Sequence, residues 1–325
     1  MATINDTARL VTVFGGSGFV GRHVVHALAR RGYRIRVAVR RPDLAGHLQP
    51  LGTVGQIHAV QANLRHRWSV DRAVQGAGAV VNLVGILSES GRQTFDAVQS
   101  FGPRAVAEAC RAAGIGRLVQ ISAIGADANS KSGYARSKAA GEAAAMETVP
   151  TAIVLRPSIV FGPEDEFFNR FAEMARFAPA LPLIGGGHTR FQPVFVGDVA
   201  EAIARAVDGT VEDGRVYELG GPEIKSFREC MEIVLSQTKR RRPLVSIPFK
   251  VAETMAKLTG WLPGAPITLD QVEQLKSDNV VSAEAISEGR TLEGMGVEPR
   301  TLSAILPSYL YRYMPRGQYD RQRSR

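Results

Sequence analysis

The sequence predicts an α/β fold, a doubly wound parallel sheet of the Rossmann type, with a smaller, mainly helical C-terminal part. Three observations carry that expectation. An apolar run of strand length, residues 11–14, stops at Gly15, Gly16, Ser17 and Gly18, and a helical pattern of Phe19, Val20, Val24, Val25 and Leu28 follows. Strand-like and helix-like segments then alternate at least as far as Ser122, as parallel strands joined by right-handed crossovers require. Finally, the glycine cluster, Arg40, Asn63, Gly85 and Ser122 all fall at C-terminal strand ends, where open α/β sheets bind ligands.

The opening turn is the first candidate site. Glycines let the backbone approach a ligand closely, and the helix N-terminus behind them offers unpaired N–H groups and partial positive charge to a pyrophosphate. Gly16, Gly18 and Gly21 have the dinucleotide spacing, and Gly15 adds a variant of it. Residues 15–21 (Gly15, Gly16, Ser17, Gly18, Phe19, Val20 and Gly21) are therefore candidate cofactor contacts. The second strand, residues 34–39, ends at Arg40 and Arg41. An acidic residue near this point holds the ribose hydroxyls of NAD, whereas arginine accommodates the 2′-phosphate of NADP. NADP(H) is the preferred cofactor, NAD(H) the alternative, and a solvated arginine pair the bland reading.

A third strand, residues 56–62, leads to Asn63 and Leu64, and a short helix at 69–75 is expected to be capped by Ser69. Residues 79–84 read as a buried strand closed by Val84 and Gly85, and residues 93–113 as a long helix bent near Gly102 and Pro103. After the strand 117–122, a helix over 132–147 contains Tyr134 and Lys138, four apart and so on one face. A strand at 151–155 precedes Pro157. Asp198 is expected to cap a helix at 199–207, and a strand at 216–219 is the last of the core. The boundaries predicted are 1–160 for the core, completed by 191–222, with 161–190 and 223–315 forming the smaller part over the cofactor cleft and 316–325 a basic tail.

Composition narrows the class. With 45% hydrophobic and 22% charged residues in 325, the chain is a folded protein and not a disordered one. The net charge of +9 favours an anionic partner. Cys110 and Cys230 suggest neither a disulfide framework nor a metal site, and a reducing, cytoplasmic compartment is expected. No run approaches the roughly 18–20 apolar residues of a membrane span, and the N-terminus lacks the pattern of a secretion signal. His23 and His26 read as an exposed helix pair, so no metal is expected. The sequence lacks a G-x-S-x-G elbow for hydrolysis, and its basic clusters come with no nucleic-acid motif. Residues 248–262 carry Phe249, Val251, Met255, Leu258, Trp261 and Leu262 at helical spacing, a face for packing or for a lipid surface.

The glycine turn, Asn82 to Gly85, Ser122 and the Tyr134-x-x-x-Lys138 pair resemble the short-chain dehydrogenase/reductase superfamily over about residues 9–222. Residues 156–163 and 193–198 resemble its extended and atypical branches. More narrowly, residues 15–21, 155–165 and 309–317 are similar to the family of NADPH-binding accessory subunits of respiratory complex I and their bacterial relatives. The superfamily resemblance implies Tyr134 as acid/base, Lys138 as a ribose contact that favours tyrosinate, and Ser122 as a hydrogen-bond donor to substrate. It also implies cofactor contacts from Asn63, Leu64, Val84, Gly85, Tyr134, Lys138 and Pro157. Phe14, Gln99 and Asn63 depart from the common Thr, Asn and Asp. The narrower resemblance implies a tightly held NADPH in an accessory or assembly protein, with complex I subunits or quinone-related proteins as partners and a peripheral contact with the inner membrane. An NADPH-dependent reductase, or an epimerase or dehydratase, of a small carbonyl or sugar-like substrate is the alternative.

Overall fold

The computed structural model describes residues 9–259, 267–315 and 317. Trp261, Leu262, Pro263, Pro266 and the basic tail other than Gly317 lie outside the described residues. The chain divides into two compact units.

The first unit comprises Met1–Pro157, Gly197–Leu219 and Ser282–Glu298. Its strands are β1 (Leu10–Phe14), β2 (Arg34–Val39), β3 (Ile57–Gln61), β4 (Ala79–Asn82), β5 (Leu118–Ile121), β6 (Ile153–Pro157) and β7 (Val216–Leu219). They form one seven-stranded sheet in the order β7-β6-β5-β4-β1-β2-β3. Every neighbouring pair is parallel, and β1 and β4, which adjoin where the order reverses, make the switch point at which such sheets bind ligands. Strands buried on both faces explain the runs of Val and Ile: Val11, Val13, Val80, Val81 and Val119 are fully buried.

Helices cover both faces of this sheet. The helices α2 (Arg67–Val74), α3 (Phe101–Ala112) and α4 (Gly133–Thr148) send Val70, Val106 and Ala145 into one core with Phe14, Val80 and Leu118. The helix α1 (Phe19–Arg30) is tied at its end to the helix α5 (Val196–Asp208). Arg31 pairs there with Glu201 and Asp208, and the Tyr33 hydroxyl donates to Asp208 at 2.7 Å. The outer edge of β7 is covered by Arg290. Its carbonyl accepts the Glu218 N–H at 2.9 Å, and its guanidinium donates to the Val216 carbonyl at 2.7 Å. Residues Ser282–Glu298 thereby belong with the sheet, satisfying backbone groups that an open edge leaves bare.

Three local details differ from the sequence expectation. Ser69 lies inside α2, where its hydroxyl donates to the His66 carbonyl at 2.7 Å and accepts the Asn63 N–H at 3.0 Å, so it braces the preceding turn instead of capping the helix. The bend expected near Gly102 begins earlier, in a single π-helical turn at Asp96–Ser100 that leads into α3. Asp198 lies within the first turn of α5, which begins at Val196.

The second unit comprises Ser158–Val196, Gly220–Val281 and Pro299–Arg325. It is built from helices such as Phe168–Phe177 and Phe227–Gln237, with three two-stranded ladders among its described residues. Its core gathers Phe161, Phe168, Leu181, Leu183, Phe191, Phe227 and Met231 with Leu302, Leu306 and Leu310. A buried carboxylate pins the chain end. Asp165 accepts the Tyr309 hydroxyl at 2.6 Å and the Gly162 N–H at 3.2 Å, and burial pushes its acidity toward higher pH against those bonds.

Candidate functional site

The first unit contains every candidate cofactor-binding and catalytic residue read from the sequence. At the end of β1 the chain turns through Gly15, whose φ of +76° lies in the left-handed region. The Gly18 N–H closes the turn onto the Gly15 carbonyl at 3.1 Å. A Cβ on Gly21 would lie 2.3 Å from that same carbonyl oxygen and 2.6 Å from Gly16 Cα. The first turn of α1 can press against the loop only because Gly21 has no side chain. Gly18 is the helix N-cap, with no side-chain cap and no acidic residue in the first turn. Its backbone is exposed, with Ser17, Phe19 and Val20 half-buried around it. The opening N–H groups and the positive end of the helix thus form a cradle for an anion.

The neighbouring strand ends extend that cradle. Arg40 follows β2, is exposed, and makes no hydrogen bond or ion pair among the described residues. Arg41 is committed to Asp43, through bonds of 3.0 and 2.7 Å that hold the Asp43 carboxyl below its ordinary range. The two arginines therefore separate: Arg40 alone is unencumbered for a phosphate. After β3, Asn63 Oδ1 accepts the Arg65 N–H at 3.2 Å, which leaves the amide N–H groups for a ligand. Leu64 is buried, its Cδ1 2.9 Å from where a Cβ of Gly102 would stand. After β4, Val84 Cγ2 lies 3.2 Å from the Cβ position of Gly15, so the strand end and the glycine turn touch.

Ser122, Tyr134 and Lys138 come from the end of β5 and the start of α4. Ser132 caps α4 by accepting the Ala135 N–H at 3.1 Å and so sets where the first turn lies. Lys138 Nζ stands 5.8 Å from the Tyr134 ring centre and 3.2 Å from the Cβ position of Gly85, which joins α4 to the end of β4. Phe95 packs edge-on against Tyr134, 5.9 Å between ring centres. Burial pushes the Lys138 ammonium down to about 8, with the Glu142 carboxylate opposing that fall. Glu142, one turn further along α4, is itself engaged by Arg156 at 2.9 and 2.6 Å. The Ser122 N–H donates to the Leu155 carbonyl at 2.7 Å, but its buried hydroxyl oxygen has no hydrogen-bond partner among the described residues. Such a group normally has one, and a ligand oxygen would supply it. Pro157 is buried at the end of β6, its carbonyl accepting the Ile124 N–H at 3.0 Å.

Gln99 has a position that the sequence comparison noted without giving it a role. It is 1% exposed. Its Oε1 accepts the Ile86 N–H at 2.8 Å, its Nε2 donates to Ser137 Oγ at 3.0 Å, and that hydroxyl donates to the Tyr134 carbonyl at 2.8 Å. The π-helical turn delivers it there. Pro103 has no N–H to offer the Gln99 carbonyl, and the freed oxygen lies 2.3 Å from where a Cβ of Gly141 would stand. Glycine at 141 lets α4 close on that turn, and Gln99 then ties the β4 loop to the Tyr134–Lys138 helix. A polar residue among the buried positions of a helix was the signal available in the sequence.

The sequence profile of the NAD dependent epimerase/dehydratase family matches residues 11–220. NADH dehydrogenase (ubiquinone) 1 alpha subcomplex subunit 9, mitochondrial, of Arabidopsis thaliana is 34% identical over 320 residues, covering 95% of this chain and 79% of its own length. Ceramide reductase of Caulobacter vibrioides is 36% identical over 184 residues, 57% of this chain and 56% of its own. Among solved structures, the NADPH-dependent quinone oxidoreductase QOR2 of Escherichia coli, complexed with NADPH, superposes with a TM-score of 0.72 at 21% identity, over 93% of this chain and 99% of its own. That last likeness is one of fold.

Proposed function

Because the chain belongs to the NAD dependent epimerase/dehydratase family, we propose that it is an NADP(H)-binding accessory or assembly protein of respiratory complex I, the NADH:ubiquinone oxidoreductase. The observation that carries this reading is the reach of the likeness: 34% identity to a subunit of that enzyme across 95% of this chain, well beyond the dinucleotide-binding segment. The cradle supports the binding half. The loop of residues 15–21 and the N-terminus of α1 hold the pyrophosphate, Asn63 and Leu64 flank the adenine, and Val84, Gly85 and Pro157 line the nicotinamide half. Tyr134 and Lys138 hold the nicotinamide ribose. The unencumbered Arg40 favours a 2′-phosphate and hence NADP(H), with NAD(H) the alternative.

A reductase is the second reading, and a Ser122 hydroxyl with no partner among the described residues, together with the Tyr134–Lys138 pair, favours it. The bound cofactor would supply a hydride. Ser122 would donate a hydrogen bond to a carbonyl oxygen, and Tyr134 would pass it a proton. A phenol of ordinary pKa about 10 needs a neighbouring cation to favour its charged form, and Lys138 is that cation. The likeness to ceramide reductase supports this chemistry over the part of the chain it covers.

Alleles separate the two readings. With Tyr134→Phe in place of the native gene, an accessory role predicts assembled complex I at wild-type level with NADP(H) retained, and Gly21→Val predicts loss of both. Loss of assembly in Tyr134→Phe at normal nucleotide content would overturn a purely accessory role.

A further inference from the structure

We propose that the solvent face of α2 and α3 is the surface by which this protein docks onto an acidic face of its larger complex, a proposal that rests on the accessory reading. Trp68, on the first turn of α2, is 65% exposed, and Phe101, which opens α3, is 45% exposed. Tryptophan and phenylalanine are costly to leave in water and, with arginine, are enriched in the anchors of protein interfaces. Arg72 is exposed one turn beyond Trp68, and Arg104 and Arg111 are exposed along the stripe that Phe101 begins. None of these three guanidinium groups has an ion pair or hydrogen bond among the described residues.

The two helices form one surface. Arg67 bridges from α2 to Glu108 of α3 at 2.5 Å while also holding Asp71 at 2.8 Å, and Leu64 packs onto Gly102. That bridge engages both acidic residues between the two stripes with one guanidinium, and Arg72, Arg104 and Arg111 outweigh the carboxylate left over, so the face presents two aromatic rings amid a net positive charge. A second copy of this chain, meeting it about a two-fold axis, would bring arginines against arginines. An acidic protein surface with an apolar pocket fits instead: the carboxylates answer the arginines, and the pocket takes the rings.

The test uses the full chain in its native membranes, with Trp68→Ala, Arg104→Glu and Arg111→Glu combined. All three positions are exposed, so the variant is expected to keep wild-type melting behaviour and NADP(H) content. Its share in the purified complex is expected to fall about tenfold or more. A folded, nucleotide-loaded variant that stays in the complex at wild-type level overturns the proposal. So does a purified wild-type dimer that the variant dissociates, or binding of wild type to phosphatidylserine vesicles that the variant loses while keeping its place in the complex. Wild type absent from the complex overturns the accessory reading itself, and the proposed partner with it.

Discussion

Arg40→Ala separates the two nicotinamide cofactors. Arg40 is exposed and unengaged, whereas Arg41 is bound to Asp43. A charge-assisted bond from a guanidinium to a phosphate contributes about 1.5–3 kcal/mol. Solvent screening at an exposed strand end favours the lower part of that range, and about 2 kcal/mol corresponds to roughly thirtyfold in affinity. Calorimetric titration of Arg40→Ala is therefore expected to show NADPH weakened by roughly thirtyfold and NADH changed by less than about threefold. Arg40→Asp should widen the gap, since a carboxylate repels the 2′-phosphate, and the NADPH advantage of wild type should shrink as salt rises. Equal weakening of both cofactors would refute the phosphate assignment, as would an Arg41→Ala variant that loses more NADPH affinity than Arg40→Ala.

Other perturbations test the rest of the site. Gly21→Ala places a methyl where the Gly15 carbonyl already stands, 2.3 Å away; overpacking of that kind costs about 1–3 kcal/mol, so thermal melts should fall by several degrees and fluorescence titration should show weakened NADPH, and an unchanged melt with unchanged affinity contradicts the loop geometry. Burial pushes Lys138 down to about 8 in the folded chain, against an ordinary lysine value of about 10.4. The unfolded chain thus binds more protons between those values, and this group's contribution to stability rises with pH across that window by an amount on the order of 3 kcal/mol. Denaturant titrations of Lys138→Met should lack that rise, and the same slope in both proteins would show that the ammonium is not desolvated as described. Over the same range NADPH affinity should decline in wild type as the ammonium loses its charge. Gln99→Leu leaves the Ile86 N–H without its partner, at a cost of about 1–3 kcal/mol, and should weaken cofactor binding through the displaced β4 loop; wild-type affinity in a variant of reduced stability would confine Gln99 to a structural role.

The cradle was legible because its determinants are local. An apolar strand, a glycine turn and a helix occupy consecutive residues 10–30, and Tyr134 with Lys138 is read from helical spacing alone. The parallel, doubly wound sheet followed from the alternation of elements, since parallel strands need crossovers, whereas the strand order came only from the structure. What sequence reading missed is non-local. Gln99 reaches Ile86 and Ser137 only because Pro103 and Gly141, from different helices, release and admit its carbonyl. Arg156 and Glu142 meet across β6 and α4, and Arg290 covers β7 from 74 residues away. Ser69 was misread for a related reason. A hydroxyl before an apolar run suggests a cap, but the helix begins earlier, with the Arg67–Asp71 and Arg67–Glu108 pairs at its start. Spacing from the glycine turn already pointed to Arg40, and the pairing that commits Arg41 to Asp43 was visible only in the structure.

The most direct measurement is the nucleotide content and sedimentation of the native protein. Membranes solubilised gently and resolved by density gradient are predicted to carry this chain in the complex I fractions, with NADP(H) extracted in about equal amount to the chain and NAD(H) scarce. Sedimentation of the protein alone, free of complex I subunits, or complex-bound protein that yields no NADP(H), would contradict it.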